Sequence, residues 1–234
     1  MDCPLTNGSS GENLPDLLTK LKGKAVKTNE KCASDLGVNP SASITCVKPS
    51  GTVSQLVDSA SGIHTRHSPF YIRTVRTDVK DPLCTLLVDS GVPCEPDITN
   101  PSNVMVFSFP MRSPKFSLTR NDLSATDQLE LHSIYSKFWA EHKVSQTISV
   151  KEEEWLTVGS HVFNNFDGIS GVSFLPYSDY VYKQAPYTEC TEEEFNTLDK
   201  SVPEIDWDKL LEYEVLDNTS GSQELACTSG ACEL

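Results

Sequence analysis

No run of about 18 consecutive apolar residues occurs in the sequence, so no membrane-spanning helix is expected. The amino-terminal stretch MDCPLTNGSSGEN has no basic segment followed by an apolar one, and no signal peptide is read there. Basic side chains are scarce: 19 Lys and Arg stand against 33 Asp and Glu, a formal charge of −14. A chain this acidic lacks the basic surface that wrapping nucleic acid requires, so neither nucleic acid nor a membrane is expected as a partner. No internal repeat is visible, and the GxxxxGK[ST] spacing of a Walker loop is missing. What is present is 234 residues, 38% apolar and 22% charged, the make-up of a globular protein able to bury a sizeable core.

The charge is unevenly spread. Residues 188–234 carry 13 acidic side chains and only Lys200 and Lys209 as bases, which accounts for −11 of the −14. Residues 1–187 are therefore a nearly balanced body, followed by an acidic extension. From about Asp217 the sequence NTSGSQELACTSGACEL has the composition of a flexible tail.

Hydrophobic spacing predicts a helix over residues 14–36, stopped by Gly37, and a second over 81–91, opened by Asp81 as N-cap. Further helices are expected at about 126–142 and 151–165, with short ones at 191–199 and 206–213. Strands are expected at 43–47, 70–76, 146–150 and 171–175, and at 103–109, where Pro110 should end the strand. Strands alternating with helices predict α/β units with mostly parallel strands.

Two segments could carry chemistry. The turn Lys48-Pro49-Ser50-Gly51-Thr52-Val53-Ser54 follows the strand SITCV. A small-residue turn at the end of a strand can present successive backbone N–H groups and hydroxyls to phosphate oxygens; the plainer alternative is an ordinary strand-to-helix turn. The second segment is Cys227-Thr-Ser-Gly-Ala-Cys232. Four small residues let the two thiols meet, and a mobile surrounding would keep them open to exchange with an external dithiol. A zinc half-site or two unremarkable tail cysteines are the alternatives. The remaining cysteines are irregularly spaced, and Cys32, Cys46 and Cys84 read as small buried hydrophobes. His64 and His67 stand beside Arg66 without a third or fourth ligand nearby, so no metal site is expected. Glu152, Glu153 and Glu154 read as the acidic first turn of a helix.

Taken together, TCVKPSGTVSQLVDSASGIHTRHSPFYIRTVR, NVMVFSFP, VSQTISVKEEEW and FDGISGVSFLPYSDYVYKQAPY resemble the C-terminal part of class II ribonucleotide reductase, more narrowly the adenosylcobalamin-dependent ribonucleoside-triphosphate reductases. The resemblance runs from about residue 14 to about 195 and resumes at the terminal cysteine pair. It implies the C-terminal part of a ten-stranded α/β barrel over residues 14–187, then an acidic extension over 188–216 and a flexible redox tail over 217–234. Residues 1–13 are a non-matching N-terminal extension.

The activity so implied replaces the ribose 2′-hydroxyl with hydrogen by cobalamin-initiated thiyl radical chemistry, in a cytoplasmic enzyme. The resemblance implies that Pro49, Ser50, Gly51 and Thr52, completed by Val53 and Ser54, hold the phosphates of a ribonucleoside triphosphate. It likewise implies that Cys227 and Cys232 form the dithiol that reduces the active site and is re-reduced by thioredoxin. The radical-cysteine loop of the family has no counterpart here, and Cys3 does not lie in a comparable context. Val144 also stands where the family often has proline. The chain is therefore expected to be inactive alone and to need the N-terminal remainder of the reductase, in trans if the gene is split. Adenosylcobalamin is implied as cofactor without assignable contacts. A non-catalytic α/β module with a thioredoxin-facing redox sensor, or an inactive fragment, are the competing readings.

Overall fold

The computed structural model describes residues 1–48, 50, 53–54, 57–177 and 182–214. The chain divides into two compact units, Met1–Pro69 with Ser113–Asp179, and Phe70–Arg112 with Tyr180–Leu234.

The first unit begins with a single turn, α1 (Pro4–Asn7), and the long helix α2 (Leu14–Leu36). Asn13 caps α2 by accepting the Asp16 N–H, and Gly37 ends it at φ +68, a left-handed conformation that costs glycine nothing. Leu14 and Leu18 turn inward, joining Met1, Val47, Ile63, Leu131, Tyr135 and Val144 in one apolar cluster. Helix α4 (Ala125–Phe138) starts at a reciprocal cap in which Ser124 and Asp127 bond each other's backbone N–H. Its expected continuation to residue 142 does not occur. Trp139 leaves the helical path, and its indole N–H donates to the Cys46 carbonyl at 3.0 Å.

Two parallel strands, β4 (Thr147–Val150) and β5 (Ser173–Pro176), are joined through α5 (Trp155–Asn164). Ile148 and Val150 of β4 face Ala125 and Leu129 of α4 and Val158 of α5, with Trp155, Val162 and Phe174 around them. The expected strand at 43–47 is reduced to one parallel bridge between Val47 and Val144.

In the second unit, β1 (Phe70–Asp78), α3 (Pro82–Asp89), β2 (Cys94–Pro96), β3 (Val104–Arg112) and β6 (Tyr187–Glu189) follow in order. The sheet order is β2-β3-β1-β6, and every pair is antiparallel. This corrects the expectation of mostly parallel strands. Alternation along the chain says nothing about direction, and the short 97–103 connection returns β3 beside β2, as antiparallel neighbours do.

Pro110 does not end β3 either. The Ser108 N–H donates to the Pro93 carbonyl on the β2 side, and two residues on the proline nitrogen faces that same side beyond the last β2 pair, Cys94–Phe107. A missing N–H there costs no ladder bond.

Cys84, Leu87, Val92 and Phe107 form the core of this unit. Helix α6 (Glu192–Ser201) is capped reciprocally by Thr191 and Glu194, and its Phe195 ring lies 5.3 Å from that of Phe70. A short last helix, α7 (Leu210–Tyr213), follows a 3-10 turn. Of the three cysteines expected to be buried, Cys84 is, Cys46 is half-buried, and Cys32 is exposed on α2. No described helix is long and apolar enough to cross a membrane.

Candidate functional site

The turn that begins at Lys48 is anchored from behind. The segment leading into it is extended: Ile44 and Thr45 donate their N–H groups to the Glu141 carboxylate, the latter at 2.9 Å, and Glu141 returns its own N–H to the Thr45 carbonyl at 2.9 Å. Those two backbone N–H groups hold the Glu141 carboxyl below its ordinary value. The Thr45 hydroxyl donates to the Trp139 carbonyl at 2.5 Å, and the Ser145 N–H to the Val47 carbonyl at 3.3 Å. The chain thus reaches Lys48 with its backbone fixed and the lysine side chain in solvent.

Of the residues expected to hold phosphate, Ser50, Val53 and Ser54 are described, whereas Pro49, Gly51 and Thr52 lie outside the described residues. The Ser50 and Ser54 hydroxyls share a hydrogen bond, and Ser50 shares a second, 3.1 Å, with the hydroxyl of Ser61. Ser54 is buried and its carbonyl accepts the N–H of Ser59 at 2.9 Å. The Val53 N–H donates to the Ser50 carbonyl at 3.0 Å, so this amide closes the turn and is not free for an anion while that bond stands. Among the described residues of the turn, what remains to meet an anion is the half-buried hydroxyls of Ser50 and Ser61.

A second turn, residues 59–64, is pressed against the first at Gly62. Gly62 has φ +54, and a Cβ there would lie 3.0 Å from the Lys48 carbonyl oxygen and 3.3 Å from Val47. Only glycine fits both the conformation and the approach. His64 follows, with Nδ1 2.8 Å from the Ser61 carbonyl and Nε2 accepting the Thr147 N–H at 2.9 Å. Together these bonds require the neutral imidazole with its proton on Nδ1, and they leave neither nitrogen for a metal.

Beneath the two turns sits Arg66, only 3% exposed. Its Nε and Nη2 donate to the two oxygens of the Asp2 carboxylate at 3.0 and 2.8 Å, and Nη1 donates to Asp58 Oδ1 at 2.8 Å. The Asp58 carbonyl accepts a further bond from Nη2 at 2.6 Å. Asp2 also accepts the Ala60 N–H at 2.7 Å and the Ser117 hydroxyl at 2.8 Å. Burial works against ionisation of Asp2, but the guanidinium, Ala60 and Ser117 outweigh it and hold its carboxyl at about 2. With two carboxylates on it, Arg66 braces the loop between Asp58 and Ala60 and has no net positive charge to offer a ligand.

Asp2, Asp58, Ser61 and Gly62 were not singled out from the sequence. The SG pair at 61–62 is a turn signal that could have marked the second turn. Nothing in the spacing of residues 2, 58 and 66 foretells their meeting.

Chemically, three hydroxyls beside an exposed lysine suit an anion with several oxygens. Among the described residues, no group of three or more His, Cys, Asp or Glu is arranged to hold a metal ion. Cys227 and Cys232 lie outside the described residues.

No family model matches the chain. Curated relatives do. A Dictyostelium discoideum protein named "Probable adenosylcobalamin-dependent ribonucleoside-triphosphate reductase" is 36% identical over 189 residues, which cover 78% of this chain and 24% of that protein. The adenosylcobalamin-dependent ribonucleoside-triphosphate reductase of Levilactobacillus brevis is 28% identical over 89% of this chain and 29% of its own length. That of Euglena gracilis is 29% identical over 84% of this chain and 27% of its length. The chain therefore spans between 22% and 30% of the length of the relatives it matches. A crystal structure of a B12-dependent, class II ribonucleotide reductase superposes with a TM-score of 0.76 at 24% identity, over 86% of this chain and 28% of that one, which shows a shared fold.

Proposed function

The chain belongs with the adenosylcobalamin-dependent (class II) ribonucleotide reductases, as a relative of about a quarter of their length, and from this we propose that it is the segment of such an enzyme that holds the substrate's phosphates and delivers electrons. The substrate of this reading is a ribonucleoside triphosphate, and the product its 2′-deoxy form. The phosphates sit at the turn formed by Pro49, Ser50, Gly51, Thr52, Val53 and Ser54. The observation that carries this reading is the convergence of the Ser50, Ser54 and Ser61 hydroxyls, two residues along the chain from exposed Lys48, at the loop that the family resemblance marks. Hydroxyl donors keep their bonds to phosphate oxygens without bringing bulk, and Lys48 adds one positive charge on a flexible stem. Arg66, already neutralised, stiffens the adjacent loop so that Ser61 and Ser54 keep their spacing.

Adenosylcobalamin comes with the family and would supply the radical that starts the reaction. No described residue is assigned a contact to it, and His64, with both ring nitrogens engaged, offers it no ligand. The radical-bearing cysteine would lie in the part of the enzyme this chain does not span, with which the chain would complete a ten-stranded barrel. Cys227 and Cys232 serve as the shuttle dithiol, re-reduced by thioredoxin.

The test is direct. Titration of ATP into the full chain should give binding that Ser50→Ala weakens by roughly tenfold, the scale of one hydrogen bond to a charged group. Equal affinity in the two proteins would remove the turn from the site. Deoxynucleotide should form only when the remaining reductase polypeptide, adenosylcobalamin and a dithiol are all added, and product from the chain alone would overturn the reading.

A further inference from the structure

Helix α5 is apolar on two faces. Trp155, Val158 and Val162 point into the cluster around Ile148 and Val150. Leu156 and Phe163, seven residues apart and so on a common face, are 90% and 82% exposed. Gly159 lies between them on that face, with nothing within 4 Å of where its Cβ would be. Phe166, in the 3-10 turn after the helix, is 72% exposed. Next to these aromatics opens a cleft of about 600 Å³ whose lining includes Ser133, Lys137, Phe163, Asn165 and Phe166.

A helix with a second apolar face beyond the one packed on its own core normally buries that face too, and a parallel strand pair is normally flanked by further strands and helices. Among the described residues the parallel sheet has two strands. Leucine and phenylalanine left bare at i and i+7 with glycine midway make a ridge with a notch, the surface against which a second helix packs at close range. The relatives are three to four times longer than the stretch matched, so most of such an enzyme lies outside this chain.

Building on the reading of this chain as a reductase segment, we propose that the stripe Leu156–Gly159–Phe163, with Phe166, seats a helix from the part of the reductase polypeptide that this chain does not span. The cleft beside it takes the loop at the end of that helix.

Phe163→Cys reports on this without activity. A chimera carries this chain in place of the matching 189-residue stretch of the Dictyostelium relative, and thiol labelling at position 163 is read by peptide mass in the chimera and in the chain alone. Labelling in the chimera should fall by roughly tenfold or more, as access then needs local opening, while labelling at Lys24→Cys on α2 stays the same. Equal rates at position 163 in both proteins would overturn the proposal. So would slow, concentration-dependent labelling in the chain alone, which would assign the stripe to a second copy. If the chimera does not fold, the relative's remaining polypeptide is added as a separate chain, with protection again expected and its absence again decisive. A protected position 163 in a folded chimera that makes no deoxynucleotide would leave this packing standing and sink the catalytic reading instead.

Discussion

Replacing Asp2 with asparagine keeps the side chain's shape and removes the charge that faces Arg66. The guanidinium is almost wholly buried, and two of its nitrogens donate to Asp2, whose side chain is 21% exposed. The carboxyl is held at about 2 against an ordinary 3.8. At roughly 1.4 kcal/mol per unit this corresponds to about 2.4 kcal/mol, which solvent screening of a partly exposed carboxylate reduces to about 1–2 kcal/mol. Asp58 remains as a second acceptor in Asp2→Asn, so the buried cation keeps one partner and the loss stays below the roughly 3–5 kcal/mol of a fully orphaned buried pair.

The sign follows from the depressed titration of the folded carboxyl. Its stabilisation is complete above about pH 5 and disappears as the pH falls toward about 2. Urea unfolding of the wild-type chain and of Asp2→Asn should therefore differ by about 1–2 kcal/mol at pH 7, and the two should converge as the pH is lowered toward 2.5. Other carboxylates titrate in both proteins and cancel in the difference. A difference below about 0.5 kcal/mol at pH 7, the level of an ordinary surface pair, or one that does not shrink with acid, would refute the brace assigned to this cluster.

Three further outcomes are expected. His132 is fully buried on α4 and its burial pushes the imidazole below its ordinary 6.5, the Gln146 side chain opposing this only in part; the neutral form is thus favoured by folding, stability is lost as the pH falls below about 6.5, and His132→Leu should flatten that part of the profile in thermal melts. Gly62→Ala forces a Cβ against the Lys48 carbonyl at a positive φ and should cost about 1–3 kcal/mol in denaturant unfolding, with ATP affinity falling as well because the two turns separate. In an assembled reductase, Cys227→Ser should abolish repeated turnover with thioredoxin while leaving a single turnover, measured as deoxynucleotide per enzyme.

Much of the local architecture was legible in the residues. Helix α2 runs from Leu14 to Leu36 as its spacing and Gly37 predict, and Asp81 caps α3 as expected. These are short-range matters, decided by periodicity and by which side chain can satisfy a free N–H. The end of α4 was not legible, because Trp139 leaves the helix to bond a carbonyl 93 residues away in sequence. Pro110 misled for a related reason: whether a proline ends a strand depends on which neighbour its nitrogen faces, and β2 had already stopped. At the candidate site the serine-rich turn stood out, but its partner turn with Ser61 and Gly62 did not, and neither did the cluster of Arg66 with Asp2 and Asp58.

By itself, then, the sequence determined the scarcity of positive charge, the placement of most helices and strands, the serine turn and the family these motifs resemble, all of which rest on composition and near-neighbour chemistry. Only the tertiary structure decided the strand directions, the commitment of the Val53 amide and both His64 nitrogens, and the neutralisation of Arg66. It also decided the bare apolar stripe of α5. Each depends on which distant groups meet, because a donor, a charge or an apolar face is free or spent only once its long-range partner is in place.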